Sequence, residues 1–154
     1  MQSAEADLTI LEHIEIQPNT TQATLAERMG MAVGTINWHM KRLIQKGYVK
    51  VKKAGRHKLS YIITPEGIAL RARLMVDYVQ NSFKLYRLVR ERSLRAIAQL
   101  KENGFHQVRL EGEGEVVDIC RLTCLEQGLH IVDDHHSPAL KVVGLRIIVE
   151  EESN

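Results

Sequence analysis

Between Arg28 and Lys58 the sequence holds nine Lys or Arg residues and not one Asp or Glu. So long a run of one charge sign suits a polyanion, because each cation set on a phosphate releases a condensed counterion. Within the run lie Thr35, Asn37 and Trp38, whose hydroxyl, amide and aromatic groups can bond a base edge, pair with adenine or contact a thymine methyl. Lys41 and Arg42 come next, and Lys53, Arg56, His57 and Lys58 form a second cluster. Both sets suit phosphate contacts, which position a protein on a duplex without reading its sequence. The alternatives are solvated surface charges for the basic set and, for Trp38, a side chain packed under the segment that carries the second cluster.

Two other constellations have a chemistry to weigh. Gly112-Glu113-Gly114, after the apolar Val108 and Leu110, lets a backbone turn close to a ligand, and Asp133 lies where an acid could hold a ribose. Val117, however, stands where a third glycine belongs, and Glu111, Glu113 and Glu115 crowd the turn with charge that repels a phosphate. The expectation is no bound cofactor, with Gly112, Gly114 and Asp133 kept as the ligand-binding alternative. His130, His135 and His136 with Asp133 and Asp134 lack the spacing of a metal site. Cys120 and Cys124 form no CxxC pair and read as two buried thiols. There is no nucleophile motif, paired-carboxylate arrangement or phosphate-binding loop, so the chain reads as a non-enzyme.

The elements that must position the basic residues can be read from hydrophobic spacing. Residues 7–16 place Leu8 and Leu11 at helical spacing ahead of a Pro18-Asn19 break. Thr20 or Thr21 offers a cap to a second helix, Gln22 to Met29, which Gly30 stops. A third helix, Ala32 to Lys46, turns Ile36, Met40, Leu43 and Ile44 inward and leaves Gly34, Thr35, Asn37, Trp38, Lys41 and Arg42 on or near its outer side, before Gly47 ends it. Tyr48 to Lys53 alternates apolar and basic residues, 54–58 is a turn and Leu59 to Ile63 a returning strand, which makes a β-hairpin.

Thr64 caps and Pro65 opens a helix that runs to Glu102. At 1.5 Å per residue it is roughly 55 Å long, more than a small domain can cover. Its apolar side, Leu70, Leu74, Tyr78, Leu85, Leu88 and Val89, predicts a self-associating helical pair and hence a homodimer; the alternative is a helix folded back on its own chain, with Asn81-Ser82 as the place to kink or divide. Beyond Asn103-Gly104 the pattern becomes βα alternation: a strand at 107–110, a helix at 115–127, and strands at 129–132 and 145–149, about three strands and one helix in all. So small a sheet leaves edges and one face uncovered unless the long helix or another subunit closes them.

The spacing Ala26, Gly30, Ile36 fits two crossing helices joined by a turn that needs a positive φ. The segment from Gln22 to Val49, succeeded by a basic hairpin and Thr64-Pro65-Glu66-Gly67, resembles winged-helix regulators of the MarR-like kind over residues 7 to about 70. That resemblance implies double-stranded DNA as partner, with the third helix in the major groove and the hairpin wing on the backbone or a neighbouring minor groove. From Val108 onward the order Gly-Glu-Gly-Glu-Val, Val-Asp-Asp and Gly144-Leu-Arg-Ile-Ile resembles small Rossmann-like domains of polysaccharide and nucleotide-sugar metabolism, which would imply a small-molecule effector.

Composition agrees with this organisation. The 154 residues are 44% hydrophobic and 26% charged, and the net charge of +2 conceals a basic first part and an acidic last one. From Asn103 onward four basic residues face ten acidic ones. No apolar stretch reaches the roughly 20 residues of a membrane span and no signal peptide opens the chain, so a cytoplasmic protein is expected. The expected fold is α+β: a winged helix-turn-helix over residues 1–65, a linking and dimerisation helix over 66–103, and a small α/β, truncated Rossmann-like domain over 104–154.

Overall fold

Helix α1 (Ser3–Ile16) begins four residues before the expected Asp7, because the Gln2 N–H donates to the Glu5 carboxylate at 3.3 Å and closes the first turn. The computed structural model describes residues 2–151. Helix α2 (Gln22–Met29) is capped by Thr21, whose hydroxyl accepts from the Thr24 N–H, and is ended by Gly30 at φ 61°. Helix α3 (Val33–Gln45) starts three residues later. Strands β1 (Val49–Lys53) and β2 (Leu59–Ile63) pair antiparallel, with Val49 opposite Ile63 and Lys53 opposite Leu59.

These elements bury one core: Ile10, Leu11 and Ile14 of α1, Leu25 and Ala26 of α2, Ile36, Met40 and Leu43 of α3, Val49 and Tyr61 of the hairpin. The Tyr61 N–H donates to the Pro18 carbonyl at 2.9 Å and fixes the hairpin to the loop between α1 and α2. Thr64 joins the hairpin to the long helix: its hydroxyl donates to the Gly47 carbonyl at 2.6 Å and accepts from the Gly67 N–H at 3.1 Å.

Helix α4 (Pro65–Glu102) is divided between two compact units, one ending at Gln80 and the other starting at Asn81. Its Leu70 and Leu74 pack against the first unit's core. Ala96, Ile97 and Leu100 belong to the second unit's core, and Val89 is fully buried. The apolar side read from the sequence therefore includes residues that turn onto their own chain. Ile68, Met75, Val76, Tyr78, Val79, Phe83 and Tyr86 are the large apolar residues that this helix leaves exposed.

The second unit continues with β3 (Gln107–Glu111), α5 (Glu115–Glu126), β4 (His130–Ile131), β5 (Ala139–Val143) and β6 (Arg146–Glu150). The sheet order is β4-β3-β5-β6, with β3 parallel to β4 and β5, and β6 antiparallel to β5. There are four strands where about three were expected. The additional one is β5, joined to β6 by Gly144-Leu145, with Gly144 at φ 60° in the first turn position, where a tight hairpin admits glycine. One sheet face carries Val108, Leu110, Leu140, Ile147 and Val149 into the core shared with α5 and the end of α4. The opposite face carries the ion pairs Arg109–Glu111 at 3.4 Å and Lys141–Glu150 at 3.7 Å, so it is built for water rather than for a second helical layer.

Candidate nucleic-acid interface

The amphipathic spacing of α3 determines what it offers to the outside. Ile36, Met40 and Leu43 are buried and Ile44 packs against the same core, as the sequence predicts. Gly34, Thr35 and Lys41 are exposed, Trp38 is 55% exposed, and Asn37 is half-buried at the edge of the outer face. Nothing lies within 4 Å of a Cβ built on Gly34, which leaves the backbone at the start of the helix open to close approach.

Arg42 sits differently. Its guanidinium pairs with the Asp7 carboxylate of α1, lies 4.8 Å from the centre of the Trp38 ring, and keeps only 31% of its side chain exposed. The sequence expectation of a free phosphate ligand is thus altered by a partner 35 positions away.

Lys53 ends β1, and Arg56, His57 and Lys58 lie in the turn beyond it. All four are exposed, and no ion pair engages Lys53, Arg56 or Lys58 among the described residues. Lys50 and Lys52 on β1 are exposed as well. Alternation puts Lys50 and Lys52 on the side opposite Val49 and Val51, and Lys53 and the turn add charge at the tip.

The sequence reading missed Asp7 and His39. The His39 Nδ1–H donates to the Asp7 carboxylate at 2.8 Å; a carboxylate only accepts, so the proton is on Nδ1. Both residues are buried. His39 occupies an inward position between Ile36 and Met40, and a polar side chain there requires a buried partner. That requirement was legible; the identity of the partner, 32 residues away, was not.

The glycine turn of the second unit is occupied by its own side chains. Gly112, at φ 128°, would carry a Cβ 3.0 Å from Val117 Cγ2 and 3.2 Å from Val142 Cβ and the Val142 carbonyl oxygen. Packing accounts for this glycine without a ligand. Gly114, at φ 99°, opens α5, and Asp133 is exposed in the loop after β4. Glu113 and Glu115 are exposed beside them. Arg109 donates to His135 Nδ1 at 3.3 Å, and among the described residues no group of three or more His, Cys, Asp or Glu is placed to hold a metal. Cys120 and Cys124 are buried and unbridged; the hydrogen bond from Cys124 brings the Cys120 thiol down to about 7, and the same bond pushes Cys124 up.

Two helices joined at a left-handed glycine, a preceding helix that completes their core and a basic hairpin after them make up a winged helix-turn-helix. Residues 4–50 match the family model described as winged helix-turn-helix DNA-binding, a span from α1 to the first residues of β1. No curated protein matches the chain. No described helix is long and apolar enough to cross a membrane.

Proposed function

We propose that this protein is a sequence-specific, MarR-like transcriptional regulator that binds double-stranded DNA as a cytoplasmic homodimer. Helix α3 enters the major groove with Thr35, Asn37 and Trp38 toward base edges and Lys41 toward a phosphate, while Lys53, Arg56, His57 and Lys58 of the wing meet the backbone. Residues 1–65 act as the DNA-binding module, 66–103 as the linking and dimerisation helix, and 104–154 as a small α/β interaction domain.

One observation carries this reading. Lys41 on the outer side of α3 and the cations of the hairpin tip are exposed, no ion pair engages them among the described residues, and the sequence has no carboxylate between Arg28 and Lys58. Changing Lys53, Arg56 and Lys58 together to Ala should weaken duplex binding and flatten the slope of log affinity against log salt by about one per lost phosphate contact. Unchanged affinity and slope would refute the assignment of the wing.

Effector binding through Gly112, Gly114 and Asp133 is less well supported, since Val117 and Val142 fill the space beside Gly112 and acidic side chains surround the turn. Titration calorimetry with dinucleotides and nucleotide sugars decides it, and saturable heat would restore the sensor reading.

A further inference from the structure

Trp38 is the one tryptophan of the chain, and more than half of it is exposed on the outer side of α3. An exposed indole on a helix ordinarily samples several rotamers, and a group that must be frozen on binding loses affinity by the entropy of freezing it. Here the ring is held before any ligand arrives. The Arg42 guanidinium lies over it at 4.8 Å, and the His39 imidazole meets it edge-on at 4.8 Å with the planes 83° apart.

Both holding groups converge on one anchor. The Asp7 carboxylate, on α1, accepts from His39 Nδ1 with one oxygen and from the Arg42 guanidinium with the other. Asp7 is 7% exposed and His39 4%. A carboxylate so buried is retained only with its bonds satisfied, and here they are satisfied by the two side chains that clamp the indole.

We propose that Asp7 is a positioning residue for sequence reading: through His39 and Arg42 it fixes the orientation in which Trp38 meets DNA. The inference rests on the reading of α3 as the DNA-contacting helix. It also reassigns Arg42 from phosphate ligand to clamp, because its charge is matched by Asp7.

Charge alone makes the opposite forecast. Removing a carboxylate beside a face that binds a polyanion should strengthen binding to any duplex. Loss of the clamp should instead weaken only the complex in which the indole has a fixed place.

The test uses the full chain and a duplex selected by the wild type from a random pool, beside an unrelated duplex. Time-resolved fluorescence anisotropy reports the one indole of the free protein. The wild type should show decay limited by tumbling; Asp7→Ala should add a fast local component, Asp7→Glu should restore part of the slow decay, and Arg42→Leu should reproduce the Asp7→Ala result from the exposed side of the clamp. Affinity of Asp7→Ala for the selected duplex should fall about three- to tenfold, while affinity for the unrelated duplex holds or rises. If Asp7→Ala fails to fold by circular dichroism, Arg42→Leu carries both measurements. Tumbling-limited decay in a folded variant, or equal loss on both duplexes, would overturn the proposal. If the wild type binds no duplex, the DNA reading itself falls, and the anisotropy alone then decides whether Asp7 holds the indole.

Discussion

At Gly67 an added Cβ would stand 2.1 Å from the Tyr48 carbonyl oxygen and 2.8 Å from Ile63 Cγ1. Helix propensity alone favours alanine over glycine there by about 1 kcal/mol. Contact with backbone opposes it, since forcing atoms into a filled site costs about 1–3 kcal/mol and a carbonyl cannot swing away as a side-chain tip can. The clash should win: Gly67→Ala should lower stability by about 1–2 kcal/mol in urea unfolding, and a variant as stable as the wild type would contradict the tight junction between hairpin and α4. The same scale shows what sequence can and cannot disclose. The outward placement of Thr35, Trp38 and Lys41 comes from the period of their own helix and was legible. The pairing of Asp7 with His39 and Arg42 joins residues more than 30 positions apart, and nothing local in the chain announces it.

Helix α4 shows the same limit at the scale of an element. Its existence and extent were legible from a capping Thr-Pro start and a long apolar period, whereas its apolar residues divide into two sets that only packing separates. Leu70 and Leu74 face their own core, but Ile68, Ala72, Met75 and Val79 of the same unit are exposed at steps of four, three and four. That is the spacing of a two-helix seam, with Val76 widening it and no charged side chain at those positions. An exposed stripe of that length supports self-association, because its matching surface on a second copy is the same stripe. Val79→Glu places a charge in the middle and should convert a wild-type particle of twice 17.5 kDa into one of single mass by sedimentation equilibrium, with helicity unchanged because Val79 is 40% exposed. A wild type of single mass would contradict the proposed dimer, and a variant with the wild-type mass would contradict this stripe as its seam. Strand β5 escaped the sequence reading for the opposite reason: Ala139 to Val143 is short, comes directly after Pro138 and shows its strand character only beside β3 and β6.

Over the whole molecule the charge is divided unevenly between the two units. The cations between Arg28 and Lys58 lie in the unit that ends at Gln80, and the acidic excess beyond Asn103 lies in the other. A uniform mixture of the same residues would have the same net charge of +2 and no oriented attraction for a polyanion. The α+β organisation was legible because helix caps, glycine stops and strand alternation agree along the first 65 residues. The second unit was legible only in outline, since a sheet with two parallel pairings draws its order from contacts distant in sequence. The claim on which the account depends is that the outer side of α3 reads base edges. It is tested most directly by measuring equilibrium affinity for every single-base variant of the selected duplex, for the wild type and for a variant with Thr35, Asn37 and Trp38 changed to Ala. The wild type should discriminate by about 1–3 kcal/mol at two sets of positions roughly one helical turn apart, and the variant should lose that discrimination while keeping its salt-dependent affinity. Identical base preferences in the two proteins would contradict it.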